Sequence, residues 1–393
     1  METGAELIIE KSPIERARML LPRLIERREK CVQIRQVCPE TCREFHEAGL
    51  FRLFQPRRYG GYEADPIDFF EIQRELSAAC PSTGWTWGVL SAHAWQLSLF
   101  PQQAQDDVWA RSATALIASS YAPGGKRVEA VDGGYRVSGK WDFCSGIDHA
   151  EWCFFGGFVA GKRPEFRTFL VSKTDYVVED HWHVSGLQGT GSKTVVVDNA
   201  FVPEHRTHRM QDAFHTRSPG NAINTSLLYK LPFGQVFVRS ISTPVLGMAT
   251  GALDIYLTLM KSKVSTVSGA RAKDDPRVLE TLARGRSEVE MLNLKMRANF
   301  EEMWQYVRAG REIPLERRVQ FKYESADTVR RCCELLDEMI ASAGTKAIFR
   351  SNSLALFHAD ALAARAHFGN NVPFFAQNFG GVLMGSDLSD IFL

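Results

Sequence analysis

Residues 135–159 read YRVSGKWDFCSGIDHAEWCFFGGFV, and this stretch decides the fold class. Residues 135–140 and 152–159 show the short, aromatic and β-branched pattern typical of strands. Similar runs, separated by turn residues about every ten positions, predict four further strands at 114–121, 166–171, 176–183 and 194–197. Six short strands without intervening helices favour an antiparallel barrel or sandwich over a parallel βαβ sheet, and we expect a barrel.

Helical periodicity flanks this β segment on both sides. Ser12 and Pro13 form an N-cap and a first-turn proline, and apolar residues then recur at helical spacing. Further helices are predicted at 40–48, 66–79, 83–99, 101–109, 236–262, 276–309, 315–342 and 353–369, with a shorter one near the C-terminus. The expected α+β architecture has a helical domain at 1–111, a central β domain at 112–210 and a C-terminal four-helix bundle at 211–393.

Composition excludes several classes of protein. The 393 residues are 45% hydrophobic and 24% charged, which is ordinary for a soluble globular protein and argues against disorder. A formal net charge of +1 gives no attraction to nucleic acid or an anionic membrane. The N-terminus lacks a secretory pattern, and we see no membrane span. Eight scattered cysteines, none at zinc-ligand spacing, predict reduced thiols in the cytoplasm and no metal site.

Several familiar motifs are missing. A nicotinamide-binding Gly-x-Gly-x-x-Gly does not occur. Residues 186–194, GLQGTGSKT, resemble a phosphate-binding loop, but the lysine comes one position late and a β-branched run follows instead of a helix. We therefore interpret this segment as a glycine-rich turn. Ordinary hydrolase motifs are also absent, so the sequence offers no machinery for that chemistry.

Four polar clusters stand in apolar surroundings and are candidates for chemistry. Each also has an ordinary structural interpretation: a satisfied core histidine, a strand-end turn, a loop and a helix C-cap. The clusters are His93 on a Trp-rich helix; Ser119 and Ser120 at the end of the first strand; Trp141 to Ala150, which includes Ser145; and Asp360 with His367, followed by Gln377, Gly380 and Gly381.

The order of these clusters on an α–β–α background resembles the acyl-CoA dehydrogenase fold, and within it the oxygenase components of two-component flavin-dependent monooxygenases, both the seco-steroid and the 4-hydroxyphenylacetate type. The similar stretches run through nearly the whole chain. They are 54–56 (FQP), 59–61 (YGG), 82–85 (STGW), 119–123 (SSYAP), 145–146 (SG), 148–150 (DHA), 189–192 (GTGS), 201–203 (FVP), 273–276 (KDDP), 360–361 (DA) and 366–367 (AH).

One departure from the dehydrogenases affects the function. Those enzymes commonly carry a glutamate base late in the chain, whereas residues 365–373 here, RAHFGNNVP, contain no carboxylate. Some dehydrogenases place that glutamate on another helix, so an acyl-CoA dehydrogenase or oxidase stays an alternative. A monooxygenase acting on nitrogen or sulfur is another.

The resemblance implies a cofactor, partners and a mechanism. Reduced FMN or FAD would come from a separate NAD(P)H-dependent reductase, and its C(4a)-hydroperoxide, formed with O₂, would hydroxylate a phenolic or polycyclic substrate. His93 would be the base for the phenol, which Ser119 would also bind. Ser145 would lie near flavin N5, and His367 beside the hydroperoxide.

The remaining implied contacts concern the cofactor and the substrate. Ser120, Trp141, Gln377, Gly380 and Gly381 would contact the flavin, the last three from a neighbouring subunit of a homotetramer. Residues 232–235, PFGQ, lack the arginine expected for a carboxylate-bearing substrate, which favours a bulky uncharged one. Arg239 lies one turn further along and would weaken this inference if it faced the substrate.

Overall fold

The computed structural model describes residues 11–122, 124–162, 164–265, 269–349 and 351–388, so Pro123 of the predicted strand-end turn lies outside it. Within these ranges helices come first and last, and strands lie between them. The helices are α1 Pro13–Ile34, α2 Pro39–Glu47, α3 Pro66–Ala79, α4 Pro81–Leu97, α5 Gln102–Trp109, α6 Met210–Phe214, α7 Phe233–Ser262, α8 Pro276–Arg308, α9 Leu315–Ala343, α10 Ser353–Arg365 and α11 Val372–Leu383. The strands are β1 Ile117–Ser120, β2 Arg127–Val131, β3 Gly134–Cys144, β4 Trp152–Val159, β5 Glu165–Ser172, β6 Val177–Glu179, β7 Lys193–Pro203 and β8 Thr207–Arg209.

Local signals set the helix ends. The Ser12 hydroxyl accepts a hydrogen bond from the Glu15 amide, and the Glu15 carboxylate accepts one from the Ser12 amide, so the predicted N-cap of α1 is a full capping box. Asp65 and Asp275 cap α3 and α8 more simply, by accepting hydrogen bonds from the Ile67 and Arg277 amides, and each is followed by a first-turn proline.

The expected closed barrel is wrong. Among the described residues the strands form two separate four-stranded sheets, ordered β1-β4-β5-β8 and β2-β3-β7-β6. The chain leaves the first sheet after β1, builds β2 and β3 in the second and returns as β4, so β1 and β4 pair in parallel. Trp141 of β3 packs on Phe155 of β4 at 4.6 Å between ring centroids, and Tyr135 on Phe169 at 5.5 Å. These aromatic pairs form the core between the two sheets.

Helix α7 is the central element of the helical part. It is apolar on nearly all sides and packs against α3 and α4 as well as α9 and α10. Its length and apolar composition would also allow it to cross a membrane, but 89% of its most apolar window is buried in the protein, as is usual for a core helix. Trp85 and Val89 of α4 belong to the same apolar cluster as the C-terminal helices, so the core around α7 includes side chains from the first hundred residues.

Candidate active site

Helix α4 carries two of the rings that define the site. Pro81 starts the helix, and almost all of its residues down to Leu97 are buried. Trp85 and His93 are eight residues apart, or about 12 Å along the helix axis. One helix therefore connects two separate groups of polar side chains, one around each ring.

The first group surrounds His93, whose ring is fully buried. Its Nδ1 lies 2.6 Å from the Ile117 carbonyl oxygen, and because a carbonyl only accepts, Nδ1 carries the hydrogen. The Nε2 atom then bears a lone pair, and it is buried without a partner among the described residues. The rings of Phe154 and Phe237 lie 5.7 and 6.3 Å away. Burial lowers the pKa of His93 to about 4, so the imidazole is a neutral acceptor at physiological pH.

Ser119 belongs to this group through a tyrosine that sequence reasoning did not single out. The Tyr121 hydroxyl donates to Gln96 Oε1 and also contacts Ser119. Burial raises the pKa of Tyr121, while its hydrogen bonds with Ser119 and Gln96 act in the opposite direction. The rings of Tyr121 and His93 are 6.5 Å apart. Tyr121 therefore links the Ser119 hydroxyl to the aromatic surroundings of His93.

The second group surrounds Ser145, which a β-bulge positions. The β3–β7 pairing shifts register between Trp141 and Cys144, and Phe143 takes a left-handed conformation with φ of 65°. The turn continues at Gly146, where φ is 73° and a Cβ would come within 2.8 Å of the Thr86 side chain. This bend places the Ser145 hydroxyl 3.1 Å from Trp85 Nε1, whose hydrogen it accepts.

His367 joins the second group from the end of α10. Its Nδ1 accepts a hydrogen bond from the Gly369 amide at 2.9 Å, so the neutral ring carries its hydrogen on Nε2. Its ring centroid lies 5.9 Å from that of Trp85 in an edge-to-face arrangement. Burial lowers the pKa of His367 to about 4. Trp85 thus touches both Ser145 and His367.

Helix α7 runs past both groups. Phe237 contacts His93, and Ile241, one turn later, lies next to Gly369, where a Cβ would be 3.5 Å from Ile241 Cγ2. Arg239 falls between them on the opposite face of the helix and borders a small cavity with Asn299 and other residues of α8 and α9. Burial lowers the pKa of Arg239 to about 10, and its Nη1 has no partner among the described residues. The guanidinium therefore does not face His93.

The other predicted flavin contacts lie outside these two groups. Ser120 donates to the Asp142 carbonyl oxygen at 2.7 Å. Trp141 is fully buried between the sheets, and its indole donates to the Gly156 carbonyl oxygen at 3.0 Å. Gln377, Gly380 and Gly381 lie on α11, which packs on α9. Within the described ranges no hydrogen bond joins these three residues to Ser145 or His367.

Two hydroxyls next to Ser145 were not predicted as site residues. Ser192 Oγ lies 2.7 Å from Ser145 Oγ, and Thr190 Oγ1 lies 2.6 Å from Ser192 Oγ. Both residues lie in the glycine-rich turn at 186–192. The available signal was the pair of hydroxyl residues on either side of Gly191, but such residues are typical of any turn.

Comparison with known proteins identifies the family. Residues 15–115 match the acyl-CoA dehydrogenase N-terminal domain, and residues 239–372 match the acyl-CoA dehydrogenase C-terminal domain. The flavin-dependent monooxygenase oxygenase subunit HsaA of Rhodococcus jostii (strain RHA1) is 37% identical over 361 residues, which are 91% of this chain and 94% of that protein. The chain belongs to the flavin-dependent monooxygenase oxygenase subunits. The predicted family and flavin dependence are therefore confirmed.

Two further members show how far the similarity extends. The crystal structure of 3-HSA hydroxylase from Rhodococcus sp. RHA1 superposes with a TM-score of 0.93 at 36% identity, covering 98% of this chain and 99% of that one. The oxygenase component of p-hydroxyphenylacetate 3-hydroxylase from Acinetobacter baumannii is 29% identical over 383 residues, which are 96% of this chain and 90% of that protein. The fold of this oxygenase subunit is that of the acyl-CoA dehydrogenases.

Proposed function

We propose that this oxygenase subunit hydroxylates an uncharged phenolic or polycyclic aromatic substrate, using O₂ and reduced FMN or FAD supplied by a separate reductase. The observation that carries the proposal is that, of two neutral histidines, one presents a hydrogen-bond acceptor and the other a donor. His93 presents a lone pair on Nε2 because Nδ1 donates to Ile117, and His367 presents a hydrogen on Nε2 because Nδ1 accepts from Gly369.

The proposed roles follow from the acceptor on His93 and the donor on His367. His93 accepts the hydrogen of the substrate hydroxyl, and Ser119 turns its own hydrogen from the Tyr121 phenol to the same substrate oxygen. Ser145 and His367 would hold the flavin, which would supply the activation of oxygen when bound. The arrangement fits such a group, because His93 on α4 presents an unpartnered buried acceptor from which aromatic rings exclude water, while His367, against Trp85 of the same helix, presents a donor.

The surroundings of His93 support an uncharged substrate. Phe154, Phe237 and Tyr121 border its ring, and these side chains offer stacking surfaces without a positive charge. Arg239 is the arginine closest along the chain to the position expected for a carboxylate contact, and it lies on the other face of α7. A substrate carboxylate at His93 would therefore lack this partner.

Several coarser features complete the proposal. Gln377, Gly380 and Gly381 would reach the flavin of a neighbouring subunit in a homotetramer, and the exposed apolar side chains at the end of α11, Leu383 and Met384, support an interface there. Trp141 and Ser120 would support the flavin site from behind. We keep the domain limits 1–111, 112–210 and 211–393, with α7 to α10 as the four-helix bundle. A cytoplasmic location agrees with eight buried, unpaired cysteines.

A stopped-flow experiment tests the proposal. The purified chain is mixed anaerobically with reduced FMN or FAD and then with oxygenated buffer, with and without a panel of uncharged phenols. We expect a transient absorbing in the near ultraviolet whose decay yields hydroxylated phenol. Failure with both flavins would contradict the proposal, and bleaching of bound oxidised FAD by an acyl-CoA would favour a dehydrogenase instead.

A further inference from the structure

A chain of hydroxyl groups leads from Ser145 into the glycine-rich turn. Trp85 Nε1 donates to Ser145 Oγ at 3.1 Å, and Ser145 Oγ lies 2.7 Å from Ser192 Oγ. Ser192 Oγ lies 2.6 Å from Thr190 Oγ1, which donates to the Leu187 carbonyl oxygen at 2.8 Å. The three hydroxyls are buried, so water does not compete for these bonds.

The two ends of this chain fix the direction of every bond in it. An indole N–H only donates and a carbonyl oxygen only accepts, whereas each hydroxyl has a single hydrogen. Thr190 gives its hydrogen to Leu187, so Ser192 must donate to Thr190, and Ser145 must donate to Ser192. Ser145 therefore has no hydrogen left for a ligand. Its remaining lone pair makes it an acceptor.

The acceptor end of the chain is firmly held. The Leu187 amide donates to Asp360 Oδ1 at 2.5 Å, and the Trp182 indole donates to the Leu187 carbonyl oxygen at 3.2 Å. Gly186 packs so closely on α10 that a Cβ there would lie 2.1 Å from the Ala359 carbonyl oxygen. The turn thus keeps the Leu187 carbonyl in place, and the direction of the bonds is built into the fold.

We propose that Ser192 and Thr190 are positioning residues that hold Ser145 as a hydrogen-bond acceptor and thereby make the site prefer reduced over oxidised flavin. This inference rests on the proposed function, which puts the flavin beside Ser145. Reduced flavin carries a hydrogen on N5, whereas oxidised flavin has a lone pair there. A Ser145 lone pair forms a hydrogen bond with the first and is repelled by the second.

The test replaces Thr190 with valine in the full chain. Thr190→Val removes the acceptor for Ser192, so Ser192 can donate to Ser145 and the Ser145 hydrogen becomes available to oxidised flavin. Anaerobic titrations give the Kd of reduced and of oxidised FMN, and spectroelectrochemistry gives the midpoint potential of the bound flavin. We expect the preference for reduced FMN to fall about 3- to 10-fold, the effect of one hydrogen bond. The tenfold case corresponds to a fall of about 30 mV in the midpoint potential of the bound flavin.

Two further variants make the result unambiguous. Thr86→Val makes the same change at a nearby buried hydroxyl that lacks a partner in the described part of the chain, and it should leave the preference unchanged. Ser192→Ala frees the Ser145 hydrogen directly and should act like Thr190→Val. It therefore supplies the test if Thr190→Val does not fold. If the unmodified chain binds neither form of FMN or FAD, the proposed function fails. If it binds reduced flavin, and both Thr190→Val and Ser192→Ala keep its preference for reduced over oxidised flavin, the inference about Ser192 and Thr190 is overturned.

Discussion

Replacing His93 with asparagine separates the two nitrogens of its ring. The asparagine amide nitrogen can keep the hydrogen bond that Nδ1 makes to the Ile117 carbonyl oxygen, but nothing in the new side chain replaces the Nε2 lone pair. Loss of a positioned general base lowers the rate of its step by about 10²- to 10⁴-fold. The smaller side chain also leaves space between Phe154 and Phe237, at a cost of about 1–3 kcal/mol of folding stability.

Rapid-quench measurement of hydroxylated phenol, together with the rate at which oxygen reacts with the bound flavin, checks this prediction. His93→Asn should slow product formation by about 100-fold or more while the oxygen reaction changes little. Ser119→Ala is the matched control for a residue that only binds the phenol, and it should cost about 3- to 10-fold. Equal loss of both reactions in His93→Asn would show that His93 acts on the flavin or on the fold instead.

Three other predictions concern charge, pH and backbone conformation. Arg239→Met should leave the KM of an uncharged phenol within about threefold, because the guanidinium is buried on the far face of α7; a tenfold change in steady-state KM would place Arg239 in the substrate site. Burial lowers the pKa of His93 to about 4, so the ring stays neutral in the folded protein, whereas in the unfolded chain it takes up a proton near pH 6.5. The folding stability therefore falls as the pH drops from about 6.5 to about 4. Urea unfolding at pH 7 and pH 5 gives the free energy of unfolding, which should fall on acidification by about 2 kcal/mol less in His93→Asn than in the unmodified chain. Equal falls in the two proteins would contradict the lowered pKa. Gly146→Ala should destabilise the protein by about 1–3 kcal/mol in thermal melts, because φ is 73° and Thr86 and Leu90 leave no room for a Cβ. Gly124 has no atom within 4 Å of a built Cβ, so Gly124→Ala should change the melting temperature little. Similar melting temperatures for the two variants would refute the packing argument.

The elements with strong periodicity were predictable from the sequence. The expected helix at 66–79 and strand at 152–159 agree with α3 and β4, and α8 and α9 begin where expected. β2 and β8 were missed because β2 is mostly exposed and β8 has only three residues, so neither has a clear burial pattern. The barrel was wrong because pairing depends on contacts distant in sequence, such as the parallel pairing of β1 with β4.

The site was predictable only in part, and for a physical reason. His93, Ser119, Ser145 and His367 came from the resemblance to a family, since each residue alone is equally typical of a core or a turn. Their protonation depends on backbone partners, and the Ile117 carbonyl that orients His93 is 24 residues away in the chain. The hydroxyls of Thr190 and Ser192 belong to a separate turn. They meet Ser145 because the β-bulge between Trp141 and Cys144 bends the chain just before Ser145.

Isotopic labelling of the product tests the central claim most directly. The purified chain is supplied with reduced FMN or FAD by a generic reductase under labelled oxygen gas, and an uncharged phenol is analysed by mass spectrometry. We expect a product that has gained one labelled oxygen atom, with His93→Asn giving far less of it. A product whose new oxygen comes from water, or the absence of product from every phenol despite binding of reduced flavin, would contradict it.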